Sequence, residues 1–197
     1  MRALLDLYVT SFTTMLAVQL QYRVAMVIWQ IGTVLEPVVY LVVWATVARA
    51  SGGQVGGYSV ADFAAYYIVL MLVNHATFTW IMYEMEFRVR QGAFSPLLLK
   101  PVHPIHRDVA DNLAHKILAL AVLAPATLGL ALAFRPTWRP EPWSLALFVP
   151  SLLLAAALRF LVEWTLALAT FWTTRVAAVN QLYFVVLLFF AGQMAPL

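Results

Sequence analysis

The sequence predicts an all-α, polytopic integral membrane protein with five visible spans. Three observations predict it. The first is composition: of 197 residues, 63% are hydrophobic and only 11% charged, against about 45–50% and about 25% in a soluble domain. The second is that no polar stretch is long enough to build a soluble domain, so this much apolar surface must meet lipid. The third is the spacing of the apolar runs, which approach the roughly 20 residues a bilayer crossing needs. Punctuation rich in Gly, Pro and charge separates them.

Composition also excludes. There are no cysteines, so disulfides and thiolate metal sites are ruled out. The net charge is +3, with no basic patch interleaved with aromatics, which argues against a nucleic-acid partner. Residues 1–22 mix charged and apolar residues and lack the compact apolar core of a cleavable signal peptide. The first span is expected to act as its own insertion signal.

Residues 3–22 read as an amphipathic helix. Leu4, Leu5, Tyr8, Phe12, Met15, Leu16, Gln19 and Leu20 recur at spacings of three and four. Such a stripe suits a helix lying in the membrane interface. Membrane spans are expected over 24–47, 63–82, 113–134, 145–171 and 179–197. Between the first two, ARASGGQVGGYS (48–59) is a turn-rich loop. Between the third and fourth, RPTWRPEPW (135–143) carries three prolines that forbid a continuous helix. The chain stops at GQMAPL (192–197), soon after an apolar run. The expectation is a fragment, with at least one further span beyond it.

Orientation follows from Lys and Arg. Alternating the loops puts eight on one side: Arg2, Arg23, Arg88, Arg90, Lys100, Arg107, Lys116 and Arg175. Only Arg49, Arg135 and Arg139 fall on the other, and Arg159 lies within a span. The richer side, with the N-terminus, is expected in the cytoplasm, and Trp138 and Trp143 suit an outer aromatic belt.

One polar block stands out from the apolar background. The segment 85–105, MEFRVRQGAFSPLLLKPVHPI, is basic, amphipathic and closed by prolines. Arg88 and Arg90 lie at the mouth of the second span, and Gly92 permits a sharp turn. Phe94, Leu97, Leu98 and Leu99 form an apolar patch. Ser95-Pro96 fits a helix start with Ser as cap and Pro at the first helical position, and Pro101 and Pro104 stop it within about two turns. The segment reads as a short helix parallel to the membrane; a solvated loop resting on headgroups fits the same geometry.

Few residues inside the spans could carry chemistry. Glu36-Pro37 sits mid-span, where Pro kinks a helix and a carboxylate is expensive. The favoured reading is a kink whose carboxylate is neutral or paired with a neighbouring helix, and a substrate or proton site is the alternative. Arg159 and Glu163, four apart, share a helix face and can neutralise each other. A structural clamp is favoured over a translocation site. Asn74, His75, Thr77 and Thr79 form a polar patch suited to interhelical hydrogen bonds. His103, His106 and His115 lack metal-site spacing. GGQVGG (52–57) is followed by Tyr58-Ser59, so it reads as a turn and not a P-loop. With no nucleophile elbow and no HExxH, no catalytic residue, metal or resident cofactor is expected. Any ATPase must be another chain.

The layout resembles the ATP-binding-cassette type-2 permeases, in particular a compact bacterial branch. The resemblance rests on RQGAFSPLLLKPVHPI (90–105), which fits a G-x-x-S-x-x-L-L-x-P-x-x-P signature from Gly92 through Ser95, Leu98, Leu99 and Pro101 to Pro104. It rests also on GQMAPL after the aromatic-rich LYFVVLLFFAG. It implies six spans per subunit, a dimer with a second permease subunit, and a multi-pass position in the bacterial cytoplasmic membrane. It also implies an ATPase subunit carrying ATP and Mg. Docking positions carry over onto Arg88, Arg90, Gly92, Phe94, Ser95, Leu98, Lys100 and Pro101. Gly192 to Leu197 would begin a stretch that re-enters the membrane from outside. The implied function is the permease of an exporter. The alternatives are an ion-coupled carrier using Glu36 and Glu163, or a membrane-embedded enzyme acting on lipids.

Overall fold

The apolar runs fold as helices, and the glycines and prolines between them mark their ends. The computed structural model describes residues 2–138, 140–173 and 175–196. Arg139, counted above for orientation, and Leu197, at the end of the fifth apolar run, lie outside them. In order the chain forms α1 (Arg2–Gln21), α2 (Arg23–Ala50), β1 (Gln54–Val55), β2 (Tyr58–Ser59), α3 (Val60–Thr77), α4 (Ile81–Arg90), α5 (Ser95–Leu98), α6 (Ile105–Phe134), α7 (Pro142–Ala167), a 3₁₀ turn (Leu168–Phe171) and α8 (Ala177–Phe190).

Among the described residues, four helical stretches are long and apolar enough to cross a membrane: Arg23–Ala50, Val60–Arg90, Ile105–Phe134 and Pro142–Phe171. The chain is an all-α polytopic membrane protein. The fifth apolar run yields a helix of only 14 residues, α8, and then turns at Gly192, whose φ is +69°.

The amphipathic α1 does not stand apart. Backbone hydrogen bonding continues through Tyr22, from Tyr22 N to Val18 O (3.2 Å) and from Met26 N to Tyr22 O (3.1 Å), so α1 joins α2 through a one-residue joint. It then runs parallel to the start of α6. The Tyr8 hydroxyl meets His106 Nδ1 at 3.0 Å and Gln19 Nε2 meets His115 Nδ1 at 3.1 Å. Of the predicted stripe, Tyr8, Phe12, Met15, Leu16 and Gln19 are part-buried, while Leu4, Leu5 and Leu20 stay exposed.

The glycine-rich loop is a β-hairpin. Gln54 pairs with Ser59 and Val55 with Tyr58 across a two-residue Gly56-Gly57 turn, whose φ values of +58° and +86° are those a tight hairpin turn requires. Ser59 then caps α3. Its backbone N donates to Asp62 Oδ2 (3.0 Å) while its Oγ accepts from Asp62 N (3.3 Å), a reciprocal box that satisfies two otherwise orphaned donors.

Two cores hold the bundle. Leu41 and Ala48 of α2 pack on Phe63, Ala64 and Tyr67 of α3 at the hairpin end. At the opposite, basic end, Met82 and Met85 of α4 pack with Phe94, Leu97 and Ala167. Buried alanines, Ala110 and Ala114 of α6 among them, let helix backbones approach closely, which is how helices associate without a hydrophobic drive between them. Away from these contacts α2 shows an apolar face, with Ile28, Ile31, Leu35 and Val39 all exposed.

Candidate functional site

The 85–105 block folds as an elbow. The second apolar run breaks after Thr77 and restarts at Ile81, so α4 is a separate helix of ten residues. It ends at Gly92, whose φ of +69° is the left-handed conformation that favours glycine after a helix. The chain then turns back, with Phe94 N donating to Arg88 O at 3.1 Å. The helix that follows is one turn, not two. Phe94 occupies its cap position, and the Ser95 side chain caps nothing.

The elbow is clamped to the bundle from inside. Phe94 (8% exposed) and Leu97 (7%) face inward, and the Phe94 ring meets Phe171 edge-on at 5.2 Å. Burial of each side chain is worth about 1.5–3 kcal/mol. Leu98 and Leu99 point the other way and are 62% and 88% exposed. Arg90, Gly92, Ser95, Lys100 and Pro101 are exposed with them.

An ion network fixes the root of the elbow. Arg88 is only 6% exposed. It donates through Nε to Glu84 at 2.9 Å and through a terminal nitrogen to Asp108 at the start of α6. The second oxygen of Asp108 accepts from Trp164 Nε1 of α7 at 3.0 Å. One carboxylate thus joins α4, α6 and α7. Glu86 reaches α8: its Oε2 accepts from Val176 N at 3.0 Å and its Oε1 from Arg90 at 3.3 Å.

Above this network lies a cavity of about 660 Å³. Arg88, Arg107, Asp108 and Asp111 line its basic end, Gln30, His75 and Arg159 its middle, and Tyr40 and Gln193 its hairpin end. It therefore reaches along most of the bundle. In the middle, His75 Nδ1 donates to Met71 O (2.7 Å), and its Nε2 lies 3.0 Å from the Thr33 hydroxyl and 3.1 Å from Gln30 Oε1. Across the cavity Arg159 Nε donates to Glu163 Oε1 (3.0 Å) and a terminal nitrogen to Thr77 Oγ1 (3.1 Å). Its guanidinium carbon sits 5.9 Å from the Phe78 ring centre. Lys116 of α6 and Tyr183 of α8 approach the same pair. At the hairpin end, Trp44 Nε1 and the Tyr67 hydroxyl both donate to Met194 O (2.8 and 3.1 Å), and the Tyr66 hydroxyl donates to Gly192 O (2.9 Å). These three rings seat the segment after α8.

Residues 34–195 match the family model described as ABC-2 family transporter protein. The chain belongs to the ABC-2 transporter family. It is a membrane component with a permease role. No curated protein and no solved structure matches it.

In this permease the sequence-predicted residues divide into two groups. Arg88 and Phe94, carried over as docking positions, are turned inward, Arg88 held by the buried Asp108 carboxylate and Phe94 packed against the Phe171 ring. Arg90, Gly92, Ser95, Leu98, Lys100 and Pro101 remain on the outside of the elbow. Glu36, Asn74, His75 and Arg159 all line the permease cavity, while Glu163 lies behind its wall, 1% exposed. Of the two states expected for Glu36, neutral or paired with a neighbouring helix, the ion pair is not formed among the described residues. Sequence reasoning passed over Asp108, Trp164 and Gln30. Asp108 lies outside the expected third span, and nothing local marks the other two.

Proposed function

We propose that this permease is the membrane subunit of an ATP-driven exporter and works with a separate ATPase subunit. Arg90, Gly92, Ser95, Leu98, Lys100 and Pro101, together with Leu99, form the docking face. Arg88 and Phe94 serve it from within by holding the elbow in place. The observation that carries the proposal is the exposed Leu98–Leu99 tip on a rigidly seated elbow. Two adjacent exposed leucines beside Lys100 offer an apolar contact that a partner chain can cover.

The basic end faces the cytoplasm in this reading, consistent with the eight-to-three excess of Lys and Arg. ATP and Mg belong to the partner. Closure of an ATPase dimer moves the elbow, and the elbow passes that motion to α6, α7 and α8 through Asp108, Trp164 and Val176. A second permease subunit completes the transporter in the bacterial inner membrane. The ion-coupled carrier is less well supported, because Glu163 is tied to Arg159 and is not free to exchange a proton with Glu36.

The test is affinity purification of the tagged, full-length protein with and without Leu98→Asp and Leu99→Asp together. The wild type should retain a P-loop ATPase in stoichiometric amount. The variant should lose it at least tenfold while keeping the wild-type thermal midpoint. Equal ATPase recovery with both proteins, or none with either, would overturn the proposal.

A further inference from the structure

The charge balance of the cavity says what it can hold. Its lining carries four carboxylates, Glu36, Glu84, Asp108 and Asp111, against three guanidiniums, Arg88, Arg107 and Arg159. Each guanidinium is already matched: Arg88 by Glu84 and Asp108, Arg107 by Asp111 at 3.6 Å, and Arg159 by Glu163 at 3.0 Å. Behind the wall the same Glu163 also faces Lys116, so lining and wall together carry five carboxylates against four basic groups. A cargo anion would therefore find no free cation along the lining, whereas a cargo cation would find Glu36.

Glu36 stands midway along α2, beside the buried Pro37. A carboxylate at that depth is costly unless water or a counter-charge meets it. The cavity that Glu36 lines has aromatic walls. Tyr40, Phe78 and Phe184 are part-buried there, and the exposed rings of Tyr22, Trp29 and Trp80 line it too, with Trp29 and Trp80 edge-to-face at 5.5 Å. Ring faces attract cations, and more strongly where water is excluded. The polar groups nearby, Gln30, Thr33 and His75, bond to one another.

We propose that the cavity is the cargo site and that it takes aromatic or otherwise apolar organic cations, with Glu36 as the counter-charge. This rests on the permease reading and adds the chemical class of the cargo. The site is large enough for a multi-ring molecule, since small-molecule pockets run to about 300–1,000 Å³. Selection would come from charge sign and aromatic contact, not from a pattern of directed hydrogen bonds.

The test uses two probes of nearly equal shape and opposite charge, tetraphenylphosphonium and tetraphenylborate. Each is bound to the intact transporter in nanodiscs of neutral phosphatidylcholine, with empty nanodiscs subtracted. The expected result is saturable binding of the phosphonium, weakened at least tenfold by Glu36→Gln and restored towards wild type by Glu36→Asp. The borate should show no saturable component with the wild type. Size-exclusion profile and thermal midpoint establish that each variant is folded. Saturable binding of both probes alike, phosphonium binding indifferent to Glu36→Gln, or no saturable phosphonium binding would overturn the proposal. ATPase co-purification is read separately: an ATPase retained without phosphonium binding sinks the cargo class alone, and a missing ATPase sinks the permease mechanism.

Discussion

Removing the Asp108 carboxylate should destabilise the permease more than removing both halves of the pair it makes with Arg88. Arg88 keeps its charge at any accessible pH and is only 6% exposed, and the Asp108 side chain has no exposure at all. Taking one partner from a buried ion pair costs about 3–5 kcal/mol, because a charge is left uncompensated. Two local features adjust that figure. Glu84 stays 2.9 Å from Arg88 and keeps part of the compensation, though its side chain is 45% exposed. Against this, Asp108→Ala also orphans the Trp164 ring N–H, worth about 1–3 kcal/mol if it stays buried. A net loss of about 2–4 kcal/mol follows, which at about 2–4 °C per kcal/mol for a chain of this length is a fall in midpoint of about 5–15 °C. The assay is thermal unfolding in detergent, followed by tryptophan fluorescence. Replacing the pair with apolar residues of similar bulk, Arg88→Met with Asp108→Leu, should recover at least half of that loss. A single variant melting within 1–2 °C of wild type, or a double variant no better than the single, would refute the reasoning.

Three further outcomes follow from the same geometry. Phe94→Ala empties a buried seat against Phe171 and should cost about 3–5 kcal/mol, whereas Leu99→Ala, at an exposed position, should leave the midpoint within about 1 °C; a thermal scan of the two variants reads the contrast. Gly92→Ala meets no steric neighbour but forces a left-handed residue, so it should lower stability by about 1–2 kcal/mol, measured as a shift in midpoint. Arg159→Gln leaves the buried Glu163 without its guanidinium and should destabilise by about 3–5 kcal/mol, and adding Glu163→Gln should return much of it.

Where local spacing carries the physics, the sequence was readable. Arg159 and Glu163 are four apart on one helix, so their 3.0 Å pair follows from helical geometry. GGQVGG lacks the Lys that would bind phosphate, and its glycines make a hairpin turn. The apolar runs located the long helices because a continuous apolar run of that length satisfies its backbone in lipid as a helix. Where partners lie far apart in the chain, the sequence was silent. The break between Thr77 and Ile81 has neither Pro nor Gly to announce it. It is held by Thr79 Oγ1 accepting from Ile81 N (3.3 Å) and by Asn112 donating to Phe78 O (3.4 Å). The residues 105–112 looked like loop because they are polar, yet they are the first turns of α6, and their charges are used up on Arg88, on Trp164 and within the helix. An amphipathic stripe shows that α1 has a sticky face but not what it sticks to, and α6 competes with lipid for that face. Phe94 and Leu98 carry the same apolar label, and only the one-turn geometry of α5 sends one inward and the other out.

The ties that hold the elbow also set an order of assembly. Arg88 and Asp108 are 20 residues apart, Asp108 and Trp164 56, and Glu86 and Val176 90. A ribosome delivers about 5–20 residues per second, so Glu86 waits on the order of ten seconds for the backbone group that completes its bonding. Until then Phe94 has no Phe171 to rest on, and the elbow is a loose strand beside an unfinished bundle. The outer face of the elbow thus takes its final shape only once Phe171 and Val176 are in place. A nascent chain stalled before them would hold the segment after Gly92 without the ring and the backbone group that seat it.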